Sequence, residues 1–324
     1  MSLRILLVTF LILLHVEVVG AQPPHVVAFY NVENLMDVED DPLTDDEDML
    51  PLADREWSEQ RLRTKLQSIA GVISSLEMPI LLGLAEVENG KVLNLLVGQK
   101  ELMSAGYRVC HYDSADRRGI DVALLYRPDC FTLQRSLAIK AEVGFPTRDM
   151  LAVWGRLCGV EVVVVVVHLP SRIGGEKFTG SRRMTCQRQL RGVIDSIRRA
   201  EPCRRVIVMG DMNDNPRNKS IREGLGAVAL GHKAGVGCLY NPFSGVRWRA
   251  SRGSSVYGGE WNLYDNIILS SEFLSGGELQ LVGRGRIFKA KHLLDSRGYP
   301  LPTYRGVEYM GGVSDHLPVY VYLQ

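Results

Sequence analysis

Val162 to Val167 is a run of six valines, framed by Glu161 and by His168-Leu169-Pro170. β-Branched side chains pack well on a pleated surface and poorly in a helix. An apolar run without alternation belongs to a strand in the middle of a sheet, buried on both faces. A second run, Val206 to Met209, leads into Gly210, Asp211, Met212 and Asn213 and reads the same way. Gly210 is expected to let the chain bend where this strand ends. Asp211 and Asn213 are two apart, so on extended backbone they point the same way. A carboxylate and an amide then stand side by side at the mouth of a sheet, where open α/β sheets place their ligands. Asp offers a hard anionic oxygen suited to Mg²⁺ or to holding a water, and Asn a neutral donor for an anionic oxygen. A plain Asn/Asp turn, capping a helix that begins near Asn218, would use the same residues.

Other strands are expected at His25–Tyr30, Ile80–Ala85, Tyr107–Tyr112, Asp121–Tyr126, Cys130–Ile139, Met150–Leu157, Asn262–Leu269 and Val319–Leu323. Leu62, Leu66, Ile69, Ala70 and Ile73 mark one face of a helix, and a second helix should run from after Asn89 to about Met103. A third, from about Ser181 to Ala200, carries Leu190, Val193, Ile194 and Ile197 on one face and Arg183, Arg188, Arg191, Arg198 and Arg199 on the other. Asp37 to Asp48 reads as an acidic, solvated loop, without the glycine-centred alternation of a calcium loop. Residues 231–260 read as a loop-rich region that includes Arg247, Trp248, Arg249 and Arg252, and Arg284, Arg286, Lys289, Lys291 and His292 as a second basic loop. Helical patterns interrupt runs of strands unevenly, which predicts an α/β fold of two mixed sheets packed face to face with helices outside.

The 324 residues, 46% of them hydrophobic, suffice for one large α/β domain, and the formal net charge of +1 announces neither a globally basic nucleic-acid binder nor an acidic tail. Residues 1–21 have the layout of an export signal: Arg4, the apolar Ile5–Leu14, and small residues at Val19-Gly20-Ala21 for cleavage before Gln22. Residues 22–324 then form the domain, a periplasmic or extracellular protein with no membrane span after cleavage, expected to be a monomer. The six cysteines, Cys110, Cys130, Cys158, Cys186, Cys203 and Cys238, are scattered without a CxxC pair, which argues against a zinc site. In an oxidising compartment some of them could pair.

Six segments close an apolar run with a polar residue: Asn31 and Glu33, Glu86, His168, Asp211 and Asn213, Asp265, and Asp315 with His316. There is no GxSxG elbow, no Walker lysine loop and no HExxH. Carboxylates with histidines and amides suit hard-metal-assisted attack of water on phosphorus. Each residue alone also has an ordinary account as a turn or cap. As a series, FYNVENL, GLAEVEN, the strand ending in His168, VMGDMNDNP, LYDNIILS and VSDHLPV resemble the motifs of the endonuclease/exonuclease/phosphatase superfamily, in that family's order and across the whole mature chain.

The resemblance implies a four-layered α/β sandwich with two central mixed β-sheets flanked by helices. It implies that Glu86 is the main ligand of Mg²⁺ or Mn²⁺, that Asn31 sits beside it, and that Glu33 and Asp315 complete this metal site or a second one. Asp265 would orient and charge His316. Asp211 and Asn213 would position the nucleophile and stabilise the transition state, and His168 would contact the phosphate. Arg172, Lys177, Arg182 and Arg183 follow His168 and are candidates to touch substrate phosphates. The implied function is a metal-dependent phosphodiesterase, foremost a secreted nuclease with nucleic acid as partner. Its rivals are a phosphatase or a lipid or sugar phosphodiesterase on the same scaffold, akin to sphingomyelinases or inositol phosphatases, and a catalytically inactive binding module.

Overall fold

The computed structural model describes residues 23–232, 235, 237–245 and 253–324. The expected signal segment and the stretch holding Arg247, Trp248, Arg249 and Arg252 lie outside the described residues.

One sheet holds β1 (His25–Leu35), β2 (Leu81–Val87), β3 (Arg108–His111), β4 (Asp121–Tyr126), β14 (Leu281–Ile287) and β17 (Val319–Leu323), in the order β14-β17-β1-β2-β4-β3. The other holds β5 (Phe131–Ile139), β6 (Met150–Leu157), β7 (Val160–His168), β8 (Arg205–Asp211), β9 (Ala227–Ala229), β10 (Leu239–Asn241) and β13 (Asp265–Ser270), in the order β5-β6-β7-β8-β13-β10-β9. Two hairpins stand apart from the sheets: β11 (Ser255–Tyr257) with β12 (Glu260–Asn262), and β15 (Tyr304–Arg305) with β16 (Glu308–Tyr309). The helices are α1 (Glu59–Ser75), α2 (Gly90–Val97) and α3 (Glu176–Ala200).

The valine run shows why the molecule is layered. Val162, Val164 and Val166 face the core between the sheets, where they join Val27 and Phe29 of β1. Val163, Val165 and Val167 face the opposite way, onto Leu190 and Ile194 of α3. On the far side of the first sheet, Val26, Ala28 and Tyr30 pack with Leu62, Leu66, Ile69 and Ile73 of α1 and with Leu93 and Leu96 of α2. Helices, sheet, sheet and helix are the four layers. Strand alternation supplies both faces of each sheet from one segment.

Several expectations change in detail. α2 stops at Val97, where Gly98, a poor helix former, takes the cap position; turns follow in place of helix to Met103. α3 starts at Glu176, directly after the left-handed Gly174 and Gly175, five residues earlier than Ser181. The helix expected near Asn218 is one wide turn, Ser220–Leu225. Arg284 and Arg286 lie on the edge strand β14, whose pairing with β17 shifts register around Gly283, so the basic segment there is strand before it is loop. Gly210 is inside β8, and its role is close approach: a Cβ there would stand 2.0 Å from the Val167 carbonyl oxygen.

Candidate active site

The topology delivers the polar residues to one end of the sandwich. β1 and β2 are parallel neighbours in one sheet, and β7 and β8 in the other. Parallel neighbours end on the same side, so Asn31 and Glu86 arrive together from one sheet, and His168 and Asp211 from the other. β13 runs antiparallel to β8 and begins at this end, with Asp265 opposite Asp211. The turn before β17 adds Asp315 and His316. Glu33, Glu86, His168, Asp211, Asn213, Asp315 and His316 all line a cleft of about 560 Å³. A second cleft of similar volume, under Arg217, Arg222 and His232, contains none of them.

Asn31 is the hub. Its Nδ2 donates to Glu86 Oε1 (3.1 Å) and Asp211 Oδ2 (3.2 Å), and its Oδ1 accepts from the Glu33 backbone N–H (3.0 Å). One fully buried amide thus bridges carboxylates from both sheets. Glu86 is oriented again through Oε2, which accepts from the Asn34 N–H (3.1 Å). Glu33, Asn34, Glu86 and Asn213 all have left-handed backbone, with φ of +50°, +48°, +62° and +50°. Non-glycine residues in that region carry strain, which the surrounding structure holds in place. For Asn213 this corrects the expectation of extended backbone: its N–H donates to Asp211 Oδ1 (2.8 Å), so a side-chain turn brings the pair together.

Two histidines flank Asp211. His168 Nε2 lies 3.6 Å and His316 Nε2 3.8 Å from Asp211 Oδ2, and His168 Nε2 is 3.9 Å from Glu86 Oε1. Their charge states are driven apart. Burial lowers the His168 pKa well below its ordinary value, and the Arg148 and Arg118 guanidinium groups lower it further, which keeps the imidazole neutral. Burial alone would lower His316 too, but Asp265, Asp315 and Asp211 outweigh it and favour the cation. The nearest is Asp265, whose Oδ2 accepts from His316 Nδ1 at 2.8 Å. Asp211 is pushed up to about 6 by burial and by Asp265, against the pull of His316 and of the bonds from Asn213 and Asn31.

The other expected residues divide. Asp315 is exposed in the cleft. Glu33 accepts from the backbone N–H groups of Thr303 (2.7 Å), Asp315 (3.0 Å) and Tyr304 (3.4 Å), so its oxygens brace two loops. Burial, then Asp315, push its carboxyl up to about 7, although the buried Lys65 pulls the other way. Asn31 directs Nδ2 at the carboxylates of Glu86 and Asp211, so both residues hold their neighbours in place. Arg172 lines the cleft but donates from Nε to the Asn213 carbonyl (2.8 Å) and pairs with Asp214. Arg182 is exposed at the rim, its guanidinium 4.6 Å from the centre of the Phe145 ring. Arg183 departs from expectation. It is 0% exposed, paired with Asp214 (2.9 Å) and donating to Thr179 Oγ1 (2.9 Å) and to the Ser171 carbonyl (3.1 Å), so it is a buried strut and not a phosphate contact. Lys177 lies on α3, outside the residues whose side chains are described.

Arg148 was not anticipated. It is buried beside the cleft, donates to Asp116 Oδ2 (2.9 Å) and the Leu169 carbonyl (3.0 Å), and presents its charge to His168. It precedes β6, which runs antiparallel to β7, so the N-terminal flank of β6 falls at the site. Arg118 reaches the same cleft from the turn before β4.

The residues fit a divalent ion. Glu86 and Asp211 present hard oxygens about one amide, and Asp315 is exposed in the same cleft. The buried Oδ1 of Asp265 has no hydrogen-bond partner among the described residues. Crowded, buried carboxylates are relieved by a cation.

A comparison with curated proteins returns no match. Among solved structures, the chain resembles TDP2 of D. rerio complexed with single strand DNA product, at 16% identity and TM-score 0.57, covering 94% of this chain and 100% of that one. It resembles truncated TDP2 of Caenorhabditis elegans at 15% identity and TM-score 0.58, covering 93% and 97%. It also resembles the mannosyl-6-phosphatase Bt3783 of Bacteroides thetaiotaomicron at 16% identity and TM-score 0.55, covering 93% and 99%. These likenesses establish the fold. The Endonuclease/Exonuclease/phosphatase family model matches residues 26–324, nearly the whole described chain, and with the cleft built as above the chain belongs to that family of phosphoesterases.

Proposed function

We propose that the chain is a divalent-metal-dependent phosphodiesterase that cleaves nucleic acid with an activated water. The observation that carries this reading is the placing of His168 and His316 on either side of Asp211 and beside Glu86, in surroundings that favour the neutral form of the first and the cation of the second. Asp211, ionised above about pH 6, takes the proton from the water whose oxygen forms the new bond to phosphorus. Asn213 and the Asp211 turn position that water. His316, held by Asp265, donates from Nε2 to a phosphoryl oxygen as charge moves onto it, and neutral His168 donates to another. The ester bond to the leaving oxygen breaks, and that oxygen takes up a proton from solvent. Mg²⁺ or Mn²⁺, held by Glu86 and Asp315, would neutralise charge on the phosphoryl group.

Nucleic acid is favoured as substrate by the rim. Arg118 and the Arg182–Phe145 pair border the cleft beside the exposed Ile173, and Phe178 is exposed close by on α3. Cations interleaved with flat apolar groups suit phosphates and stacked bases. The D. rerio relative bound to a single strand DNA product is consistent with this choice. The test is hydrolysis of single-stranded DNA, plasmid DNA, RNA, sphingomyelin, an inositol phosphate and a hexose 6-phosphate with Mg²⁺, Mn²⁺ or EDTA. Cleavage of DNA or RNA that is lost with EDTA is expected. Turnover of a lipid or sugar phosphate alone would replace the substrate class. We also propose that residues 1–21 are an export signal and that the mature protein acts as a monomer. N-terminal sequencing should then begin at Gln22, and light scattering should give one chain per particle.

A further inference from the structure

At the end of the sandwich opposite the cleft, the fold gathers three metal-binding side chains that are remote in sequence. His25 opens β1, Cys130 precedes β5, and Cys158 follows β6. The catalytic residues sit at the other ends of β1 and β7. With six residue steps between His25 and Asn31, the separation is roughly 20 Å. One ligand atom from each of His25, Cys130 and Cys158 lies within 4.8 Å of the other two. The Cys158 N–H donates to the Cys130 carbonyl (2.7 Å), which fixes the cysteines as neighbours, and their thiols are within hydrogen-bond reach of each other.

We propose that His25, Cys130 and Cys158 bind a zinc-type divalent ion that clasps the two sheets together at this end. Zinc takes thiolate sulfur at about 2.3 Å and imidazole nitrogen at about 2.0–2.1 Å in a tetrahedron, which sets neighbouring ligand atoms roughly 3.5–3.8 Å apart. The three atoms lie within 4.8 Å of one another before any ion binds, so side-chain rotation alone would bring them to that spacing. The donor set is soft, whereas the cleft offers carboxylate oxygens, so the two sites would select different ions. Asp129, hydrogen-bonded to the Cys130 thiol and held by Arg127, supplies a supporting carboxylate. A Cys130–Cys158 disulfide is the competing use of these sulfurs in an exported protein, and the test separates the two.

The test is Co²⁺ titration of the full chain, reduced with a phosphine, read at the sulfur-to-cobalt charge-transfer band, to which a cleft without thiols contributes nothing. The band should saturate at one ion per chain. Cys130→Ser and Cys158→Ser should each bind at least about tenfold more weakly. His25→Ala should weaken binding and shift the band, and Cys203→Ser/Cys238→Ser should leave it unchanged. In the wild-type chain, Zn²⁺ should protect Cys130 and Cys158 from alkylation, a readout that needs no variant. No band in the reduced, folded chain, a band that survives removal of both cysteines, or isolation of Cys130 and Cys158 as a disulfide would overturn the proposal.

Discussion

Asn31 and Asp265 each act through groups they hold in place. Replacing Asn31 with Ala removes the donor shared by Glu86 and Asp211, and leaves two carboxylates facing each other without it. Activity should fall by about 10²-fold, with a smaller loss of stability, and steady-state rates beside thermal melts would separate the two. Asp265→Asn takes away the carboxylate nearest His316, so the imidazole should titrate at lower pH. The rate should drop by about 10²–10⁴-fold, and the alkaline fall of the pH–rate profile should move to lower pH, because His316 must be cationic to hold a phosphoryl oxygen. An unmoved profile would mean that Asp265 merely fills space. Glu86, His168, Asp211 and Asp265 were legible in the sequence because each interrupts an apolar run at a strand end. The supporting role of Glu33 was not, since its partners Thr303 and Tyr304 lie far along the chain. Arg148 was not legible, because its partners Asp116 and the Leu169 carbonyl lie in other segments of the chain.

Among elements, α3 shows how far a charge pattern can be read. Its arginines looked alike, yet Arg183 is buried against Asp214 and Arg182 is exposed over Phe145. Arg183→Ala removes one of the two arginines paired with Asp214 and should cost about 1–3 kcal/mol by denaturant unfolding. Arg182→Ala should leave stability within about 0.5 kcal/mol and raise KM for a nucleic-acid substrate. Equal effects of the two would contradict the assignment. Strand β8 carries a similar lesson at Gly210. A turn glycine would tolerate alanine poorly through its backbone angle, whereas here the added methyl meets the Val167 carbonyl of the parallel neighbour. Gly210→Ala should cost at least about 1–3 kcal/mol and move Asp211, lowering activity even where the protein is folded. The central strands were legible because burial on both faces makes them continuously apolar. Edge strand β14 was not, because its arginines and glycines read as loop.

The molecule as a whole stores unfavourable charge at one end. Burial pushes the carboxyls of Glu33 and Glu88 up to about 7 and that of Asp211 up to about 6. Groups with folded pKa values above their unfolded ones stabilise the fold below the unfolded pKa, and this contribution is lost as pH rises through the folded value. His168, lowered by burial, works in the opposite sense only below its ordinary value of 6.5. Without divalent ions, the melting temperature should therefore fall as pH rises from about 5 through about 7, and Mg²⁺ should restore more of it at about pH 8 than at about pH 5. Melts at both pH values with EDTA or Mg²⁺ check this; a metal-free protein that gains stability across that window would contradict the placement of these carboxylates. The central claim is that Glu86 and the histidine pair form one metal-assisted hydrolytic centre. Its most direct test is the rate of bis-p-nitrophenyl phosphate hydrolysis as Mg²⁺ is titrated into the wild-type chain, Glu86→Ala and His316→Ala. Saturable Mg²⁺ dependence in the wild type is predicted, with both variants slower by at least about 10²-fold and only Glu86→Ala requiring more Mg²⁺. Hydrolysis that is indifferent to Mg²⁺, or unaffected in both variants, would contradict it.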